Sequence, residues 1–229
     1  LIGRSSEQAM NRIRTRIRYL GQVVPAGGLR RPLPTKQARS RKTRDALIAA
    51  AWKLLRARSW QEISIAEIAA AAGSSVGALY SRFKDKEALL EALAAEWLEN
   101  RWARRAEGFT SLSAAADYAA YAILDSYHYL LRHQNFWRAV LLKGANDPVF
   151  WEPFRASGLE TMRLTVERHK QCIGRELTEE EIQHIRFAFQ MANGVINNGI
   201  VNRPGPLLPG TREFEVALVQ GFKAVSGLA

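Results

Sequence analysis

The sequence predicts an all-α protein. Apolar residues recur at the three- and four-residue spacing of amphipathic helices, and no stretch shows the strict apolar–polar alternation of a β-strand. Helix-capping patterns bound these segments: Ser or Thr three residues before Glu, Asp directly before Pro, and Gly at the ends. With 229 residues, 47% of them hydrophobic, the chain is long enough to bury a substantial core.

The positive charge of the chain is concentrated at its N-terminus. Residues 1–44 hold 12 of the 33 lysines and arginines and one of the 22 acidic residues, and 12 − 1 = +11 equals the formal net charge of the whole chain. Prolines and a glycine pair interrupt residues 1–38, so we expect a basic, flexible arm there. A basic tail on a neutral body favours a polyanionic partner, although a solubilising extension has the same composition.

The first helix is predicted from Ser40 to Arg58, with a stripe of leucine, isoleucine and alanine along one face. A capping box follows, in which Ser64 stands three residues before Glu67. We expect the helix that it begins to end at Gly73, a residue that readily adopts positive φ.

A second short helix is predicted over Val76 to Phe83, with Ser74 and Ser75 as its candidate N-caps. Asp85 can cap the next helix, which begins at Lys86. Two short helices joined by a tight turn form the helix-turn-helix layout, whose second helix enters the major groove of DNA.

The remaining segments also read as helices. Gly108 is expected to end the helix from Lys86, and Ser111 or Ser113 to begin the next one, which reaches about Arg132. Asp147 before Pro148 and the Thr178 capping box mark further starts. The predicted helices beyond residue 132 are about 135–144, 148–173, 179–201 and a last one capped by Thr211.

The helix-turn-helix resembles a known family. The run Ile68-Ala69, Ala72 to Tyr80, Phe83, Lys86-Glu87 and Leu89 is similar to the DNA-binding domain of the tetracycline-repressor (TetR) family. The similarity spans about Thr43 to Leu90, roughly a fifth of the chain. It implies a three-helix DNA-binding domain over residues 39–88, after an arm at 1–38, followed by a helical effector-binding and dimerisation domain over 89–229.

Four residues depart from the family pattern: Ser59, Ser74, Ala78 and Arg82. Of these, Ala78 and Arg82 lie on the expected reading face. The DNA-binding residues are predicted to include small residues that permit close approach, Ser81 and Arg82 for base contacts, and arginines and lysines beside the motif. The resemblance implies phosphate contacts for Tyr80, Lys86 and the cap serines. The full predicted set is Arg39, Arg41, Lys42, Arg44, Ser64, Ser74, Ser75, Val76, Gly77, Ala78, Tyr80, Ser81, Arg82, Lys84 and Lys86.

Aromatic residues cluster between Trp97 and Phe154. Such side chains suit a largely apolar small-molecule pocket, and an ordinary aromatic core would have the same composition. The resemblance implies an effector in this region without naming it. The predicted pocket residues are Trp102, Tyr121, Tyr127, Phe136, Trp137, Phe150, Trp151, Phe154, Phe189 and Asn193.

The resemblance also implies that the last two helices form a homodimer, in a four-helix bundle with a partner copy. Burial within the same chain is the alternative for these apolar residues. The predicted interface comprises Ile185, Phe189, Ala192, Ile196, Ile200, Phe214, Leu218 and Phe222.

The patterns of several other protein classes are missing. The chain has no dinucleotide or phosphate-loop motif, and its histidines and single Cys172 lack metal-site spacing. We therefore predict no enzyme activity, no cofactor and no metal. One cysteine, no membrane-length apolar run and no secretory signal lead us to expect a cytoplasmic protein with no membrane partner.

The sequence thus predicts a DNA-binding transcriptional regulator, as a homodimeric repressor that a small, largely apolar effector releases from a palindromic operator on double-stranded DNA. One alternative is a nucleoid or division factor that binds DNA without an effector. Another is a ligand-binding scaffold whose basic tail meets RNA or a membrane.

Overall fold

The computed structural model of the chain describes residues 34–111 and 117–228, with the side chains of residues 40–105, 108 and 117–228. Secondary structure in these ranges is entirely helical, which confirms the all-α prediction. No helix in them is long and apolar enough to cross a membrane. The helices are α1 (Pro34–Leu55), α2 (Ile65–Ala71), α3 (Val76–Tyr80), α4 (Lys86–Ser111), α5 (Tyr118–Arg132), α6 (Gln134–Gly144), α7 (Pro148–Ile173), α8 (Glu179–Asn202) and α9 (Arg212–Ser226).

Contacts divide the described chain into two compact units. The head unit comprises residues 34–101 and 142–153, and the body unit comprises 102–111, 117–141 and 154–228. The domain boundary expected near residue 88 lies in the first turn of α4, whereas the head unit extends through residue 101 and takes in the α6–α7 connection. Of the predicted arm, residues 1–33 lie outside the described residues, and Pro34 begins α1.

The head unit is built where α1 packs on α2 and α3. The stripe of α1 is buried as its spacing predicts, and removal of such side chains from water contributes roughly 1.5–3 kcal/mol each. Lys143 connects α6 to α4 in the same unit, because its ammonium lies 3.3 Å from Glu91 and 3.2 Å from Asp147. The buried apolar residues of α1 to α3 and their loops are Leu47, Ile48, Ala50, Ala51, Leu55, Trp60, Ile63, Ile68, Ala69 and Leu79.

In the body unit α9 packs on α8 and on α5. The Tyr127 ring stacks on Phe214 at 5.3 Å between centroids, and its hydroxyl accepts a hydrogen bond from the Gly210 backbone at 2.6 Å. Phe189 and Phe222 meet edge to face at 4.9 Å. The Tyr127 contacts fix the end of the α8–α9 loop against α5, and the phenylalanine pair joins α8 to α9.

The structure corrects the predicted ends of α4 and α5. α4 continues through Gly108 to Ser111, and α5 begins at Tyr118 with Asp117 as its N-cap rather than at Ser111 or Ser113. A glycine inside a helix costs only about 1 kcal/mol relative to alanine. Gly108 instead permits a close approach, because a Cβ at this position would lie 1.6 Å from the Tyr121 hydroxyl oxygen.

Candidate nucleic-acid interface

The start of α2 is held by the predicted capping box. The Glu67 backbone N–H donates to Ser64 Oγ at 3.2 Å, and the Ser64 N–H donates to Glu67 Oε2 at 2.8 Å. Arg58 adds a hydrogen bond to the other carboxylate oxygen at 2.7 Å. The Ser64 backbone bond, followed by the Arg58 bond, lowers the pKa of Glu67 to about 2.

The turn between α2 and α3 depends on one glycine. Gly73 has φ +61°, a conformation that residues with a Cβ rarely adopt. The next N–H, from Ser74, donates to the Ala69 carbonyl at 2.9 Å and so satisfies an orphan group at the helix end. Ser75 then caps α3 by accepting from the Ala78 N–H at 3.1 Å. Local geometry thus sets the direction in which α3 leaves the turn.

α3 has one buried and one open side. Leu79 is fully buried, and Phe83 just beyond the helix is buried as well, so these two residues anchor α3 in the head core. Tyr80 is 52% exposed. A Cβ on Gly77 would meet only the Ser75 hydroxyl, at 4.0 Å, so nothing else in the described chain packs over that position. The exposed residues on and beside the helix include Ser75, Val76, Gly77, Tyr80, Ser81 and Lys84.

The structure holds Arg82 along α3. Its guanidinium donates to the Ala78 carbonyl and to Ser81 Oγ, both at 2.7 Å, and to the Ser40 carbonyl at 3.4 Å. Ser81 Oγ itself donates to the Ala78 carbonyl at 2.9 Å. Arg82 can therefore contact a guanine only if its guanidinium exchanges some of these hydrogen bonds for bonds to the base. The sequence pattern did not reveal that the guanidinium is held in this way.

Lys86 is also engaged within the head. Its ammonium donates to the Trp60 carbonyl at 2.5 Å and lies 4.7 Å from the centroid of the Trp60 ring. Burial lowers the pKa of Lys86. An ammonium has three N–H donors, so a phosphate can still share this group.

The other predicted DNA-binding residues differ in exposure. Arg41 and Lys42 on α1 are exposed, whereas Arg44 is half-buried with its guanidinium 5.8 Å from the Phe83 ring centroid. Ser64 is exposed, and Ser74 and Ala78 are half-buried. The side chain of Arg39 lies outside the described side chains.

The predicted pocket residues are divided between the two units. Phe150 and Trp151 belong to the head unit, and the others belong to the body unit. Trp137 meets the Phe154 ring edge to face at 5.6 Å and donates its indole N–H to Asn197 Oδ1 at 2.9 Å. Within the body unit Trp102, Tyr127, Phe136, Trp137, Phe154 and Phe189 are buried, Tyr121 is half-buried and Asn193 is exposed.

All eight residues of the predicted dimer interface are buried within the single chain. Their apolar character is already required by α5, α8 and α9 of the same protomer, so they do not mark an outer surface. Other apolar residues of α8 and α9 are exposed, among them Phe187 at 59% and Val195 and Val216. A cavity of about 410 Å³ lies between these two helices and the loop that joins them, with Met191, Val195, Pro204, Leu207 and Ala217 among its lining residues.

Comparison with known proteins finds a family match at the helix-turn-helix. The sequence model described as bacterial regulatory proteins of the tetR family matches residues 47–93, which contain α2, α3 and the start of α4. Among curated proteins none matches the sequence significantly. In the described part of the chain, no group of three or more His, Cys, Asp and Glu residues is placed to hold a metal ion.

Solved structures of tetR-family regulators share the fold over 81–82% of this chain. A regulator of this family from Mesorhizobium loti superimposes with a TM-score of 0.58 at 21% identity, over 82% of this chain and 98% of that one. FadR from Bacillus subtilis, in complex with stearoyl-CoA, gives 0.57 at 20% identity over 81% and 99%. RolR in complex with resorcinol gives 0.53 at 24% identity over 82% and 90%. The family match identifies residues 47–93 as a DNA-binding domain of the tetR family, and the solved structures show that the chain shares the fold of tetR-family transcriptional regulators.

Proposed function

We propose that the protein is a sequence-specific regulator that binds a palindromic operator as a homodimer and acts as a repressor in the cytoplasm. The observation that carries the proposal is the two-sided α3: Leu79 and Phe83 fix it in the head core, and its other side is open around Gly77. A short helix held in this way can enter a major groove. The family match at residues 47–93 supports this role.

In this proposal the exposed side of α3 meets base edges, and the groups around it meet phosphates. Val76 and Ala78 can contact thymine methyl groups, and Ser81 can hydrogen-bond to a base. Tyr80 at the end of α3 and Lys84 just beyond it are exposed and suit phosphate contacts, as do the exposed Arg41 and Lys42. Ser64 and Ser75 contribute at the helix starts that they cap, and Lys86 contributes through its ammonium.

The proposed dimer uses the exposed side of α8 and α9. Phe187, Val195 and Val216 are apolar and open to solvent in the single chain, and a partner copy would cover them in a four-helix bundle. A two-fold dimer presents two identical heads, which matches two symmetric half-sites about one helical turn apart, or a multiple of that.

The body unit is the proposed site of the effector. FadR binds stearoyl-CoA and RolR binds resorcinol in structures that share this fold, which supports a small-molecule site in the body of this chain. For release from DNA, the effector must bind the DNA-incompetent form more tightly than the DNA-bound form. The spacing of two heads is the property that such a shift would change.

Selection of bound duplexes from a random pool, at one stated salt concentration, tests the proposal. The intact chain and a version without residues 1–38 should both enrich one palindrome. Enrichment by the intact chain alone would make the arm part of the base-reading surface. Enrichment of no sequence by either protein would overturn the proposal in favour of sequence-blind DNA binding.

The dimer has its own test. Val195→Asp should convert the protein to a monomer in analytical ultracentrifugation, because it places a charge on the proposed interface. Leu159→Asp, at an exposed apolar position of α7, is the matched control and should leave the mass unchanged. If the Val195→Asp protein has the same mass in solution as the wild type, this face is not the dimer interface.

A further inference from the structure

The body unit contains a buried arginine in a polar cluster. Arg105 of α4 is only 2% exposed. Its guanidinium donates to Ser126 Oγ at 3.1 Å, to the Ser157 carbonyl at 3.4 Å and to Thr161 Oγ1. Ser126, Ser157 and Thr161 are themselves buried, and they come from α5 and α7. Two helices, α5 and α7, therefore present hydroxyl and carbonyl groups to one positive charge on α4.

No carboxylate among the described side chains forms an ion pair with Arg105. The two nearby acids are engaged by other arginines: Asp125 lies 2.7 Å from Arg104, and Glu160 lies 2.6 Å from Arg163. Hydroxyl and carbonyl dipoles solvate a buried guanidinium but do not neutralise it, and an uncompensated buried charge is costly. Burial accordingly lowers the pKa of Arg105 to about 10.

A second buried donor lies one helical turn before Arg105. Trp102 is 8% exposed, and its indole N–H has no hydrogen-bond partner in the part of the chain that the structure describes. Residues at positions i and i+3 share one face of a helix, so Trp102 and Arg105 lie on the same face of α4. A buried indole N–H usually finds an acceptor. Among the described residues, this helix face thus presents a cation with no carboxylate partner and an N–H donor with no acceptor.

We propose that Arg105 and Trp102 bind the carboxylate of a small molecule with an apolar body. A guanidinium can grip a carboxylate through two parallel hydrogen bonds, and the neighbouring indole N–H can donate to the same group. The buried aromatic residues of the body unit, Tyr127, Phe136 and Trp137, suit the apolar part of such a molecule. The inference rests on the proposed function, since it names the chemical class of the effector.

A purely structural role for Arg105 predicts a different response to substitution. Thr161 Oγ1 donates to the Ser157 carbonyl at 3.0 Å, so the two α7 partners of Arg105 remain bonded to each other when Arg105 is removed. Removal of one partner of a buried ion pair is destabilising because the other charge is left uncompensated, whereas replacement of the whole pair by apolar residues is often neutral or stabilising. Arg105 has no carboxylate partner among the described side chains, so Arg105→Met leaves no such charge behind. A binding arginine should therefore be dispensable for folding, and a structural cross-link should not.

The first experiment measures the Tm of the full chain carrying Arg105→Met, without ligand or DNA. The proposal predicts a Tm equal to or above that of the wild type. Arg186→Met is the matched control, because Arg186 is an exposed arginine of the same unit paired with the exposed Glu179. A clear fall in Tm for Arg105→Met, absent from Arg186→Met, would assign Arg105 a structural role and overturn the inference.

The second experiment adds benzoate or octanoate, with benzamide and octanamide as neutral counterparts. At several times its Kd a carboxylate should raise the Tm of the wild type by about 2–4 °C in a saturable manner. The amides should not do so, Arg105→Met should lose the response, and Arg186→Met should keep it. Equal shifts by acids and amides, no shift by either acid, or a response retained by Arg105→Met would each contradict the proposal.

These measurements contain no DNA, so their outcome is independent of the duplex selection. A selected palindrome together with failure of the carboxylate tests would leave the proposed regulator standing and remove its acidic effector. Carboxylate binding without a selected palindrome would leave the carboxylate site standing and remove the proposed sequence-specific regulator.

Discussion

The turn of the head unit and the buried interior of the body unit depend on different polar contacts. The side chains that set the α2–α3 turn, Ser64, Ser75 and Glu67, bond to backbone within three residues of themselves. The buried polar side chains of the body connect residues distant in sequence, as Arg105 does with Ser126 and Trp137 with Asn197. Local bonds therefore set the direction of α3, whereas long-range contacts determine the chemistry of the body interior.

The largest effect on the free energy of unfolding is expected at Leu79, which anchors α3 in the head core. Leu79→Ala should reduce the free energy of unfolding by about 2–5 kcal/mol, because a fully buried leucine leaves a cavity. Val76→Ala on the exposed side of the same helix should change it by less than about 0.5 kcal/mol. Urea denaturation followed by circular dichroism measures both. Similar losses for the two variants would show that α3 has no buried anchor.

A long-range contact of the body should have an intermediate effect. Trp137→Phe removes the donor to Asn197 Oδ1 and should cost about 1–3 kcal/mol in the free energy of unfolding. The double variant with Asn197→Ala isolates this pair, because its cost should be smaller than the sum of the single costs. Strict additivity would show that the hydrogen bond contributes nothing to stability.

The two capping boxes allow a matched comparison between the units. In both, the backbone N–H bond to the cap hydroxyl is 3.2 Å and the reciprocal bond to the glutamate is 2.8 Å. Ser64→Ala in the head and Thr178→Ala in the body should therefore each cost about 1 kcal/mol in the free energy of unfolding. A much larger cost in one unit would mean that its cap depends on tertiary contacts.

The smallest effect is a dependence on pH. The pKa of Glu67 is lowered from 4.5 to about 2, so its folded-state contribution is present above about pH 4.5 and is lost as the pH falls toward 2. Glu67→Gln keeps an acceptor for the cap but does not titrate. Its urea midpoint should therefore change less over this pH window than that of the wild type. An identical pH dependence would contradict the role of the ionised carboxylate.

Much of the fold could be predicted from sequence because its signals are local. The caps at Ser64, Asp85, Asp147 and Thr178 act within three residues, and each begins a helix where it was expected. The Gly73 turn follows from the same kind of signal. By contrast, periodicity shows that a face is apolar but not what covers it. The predicted interface residues of α8 and α9 therefore proved to be buried in their own chain.

Features of the two sites that depend on distant residues could not be predicted. Arg105 reads in sequence as one of two adjacent arginines, and only its contacts with α5 and α7 distinguish it from the exposed Arg104. Likewise the bond from Arg82 to the Ser40 carbonyl joins residues 42 positions apart. No local pattern encodes either contact.

The most direct test of the account is the affinity of two aspartate variants for the duplex selected from the random pool. Gly77→Asp places a charge on the open side of α3, where a new Cβ meets only Ser75 Oγ at 4.0 Å, so the fold should tolerate it. Gly158→Asp in α7 adds the same charge at an exposed site with no atoms within 4 Å. We expect wild-type Tm for both, loss of specific binding by Gly77→Asp alone, and full binding by Gly158→Asp. Undiminished specific binding by a folded Gly77→Asp protein would contradict the claim that α3 reads DNA.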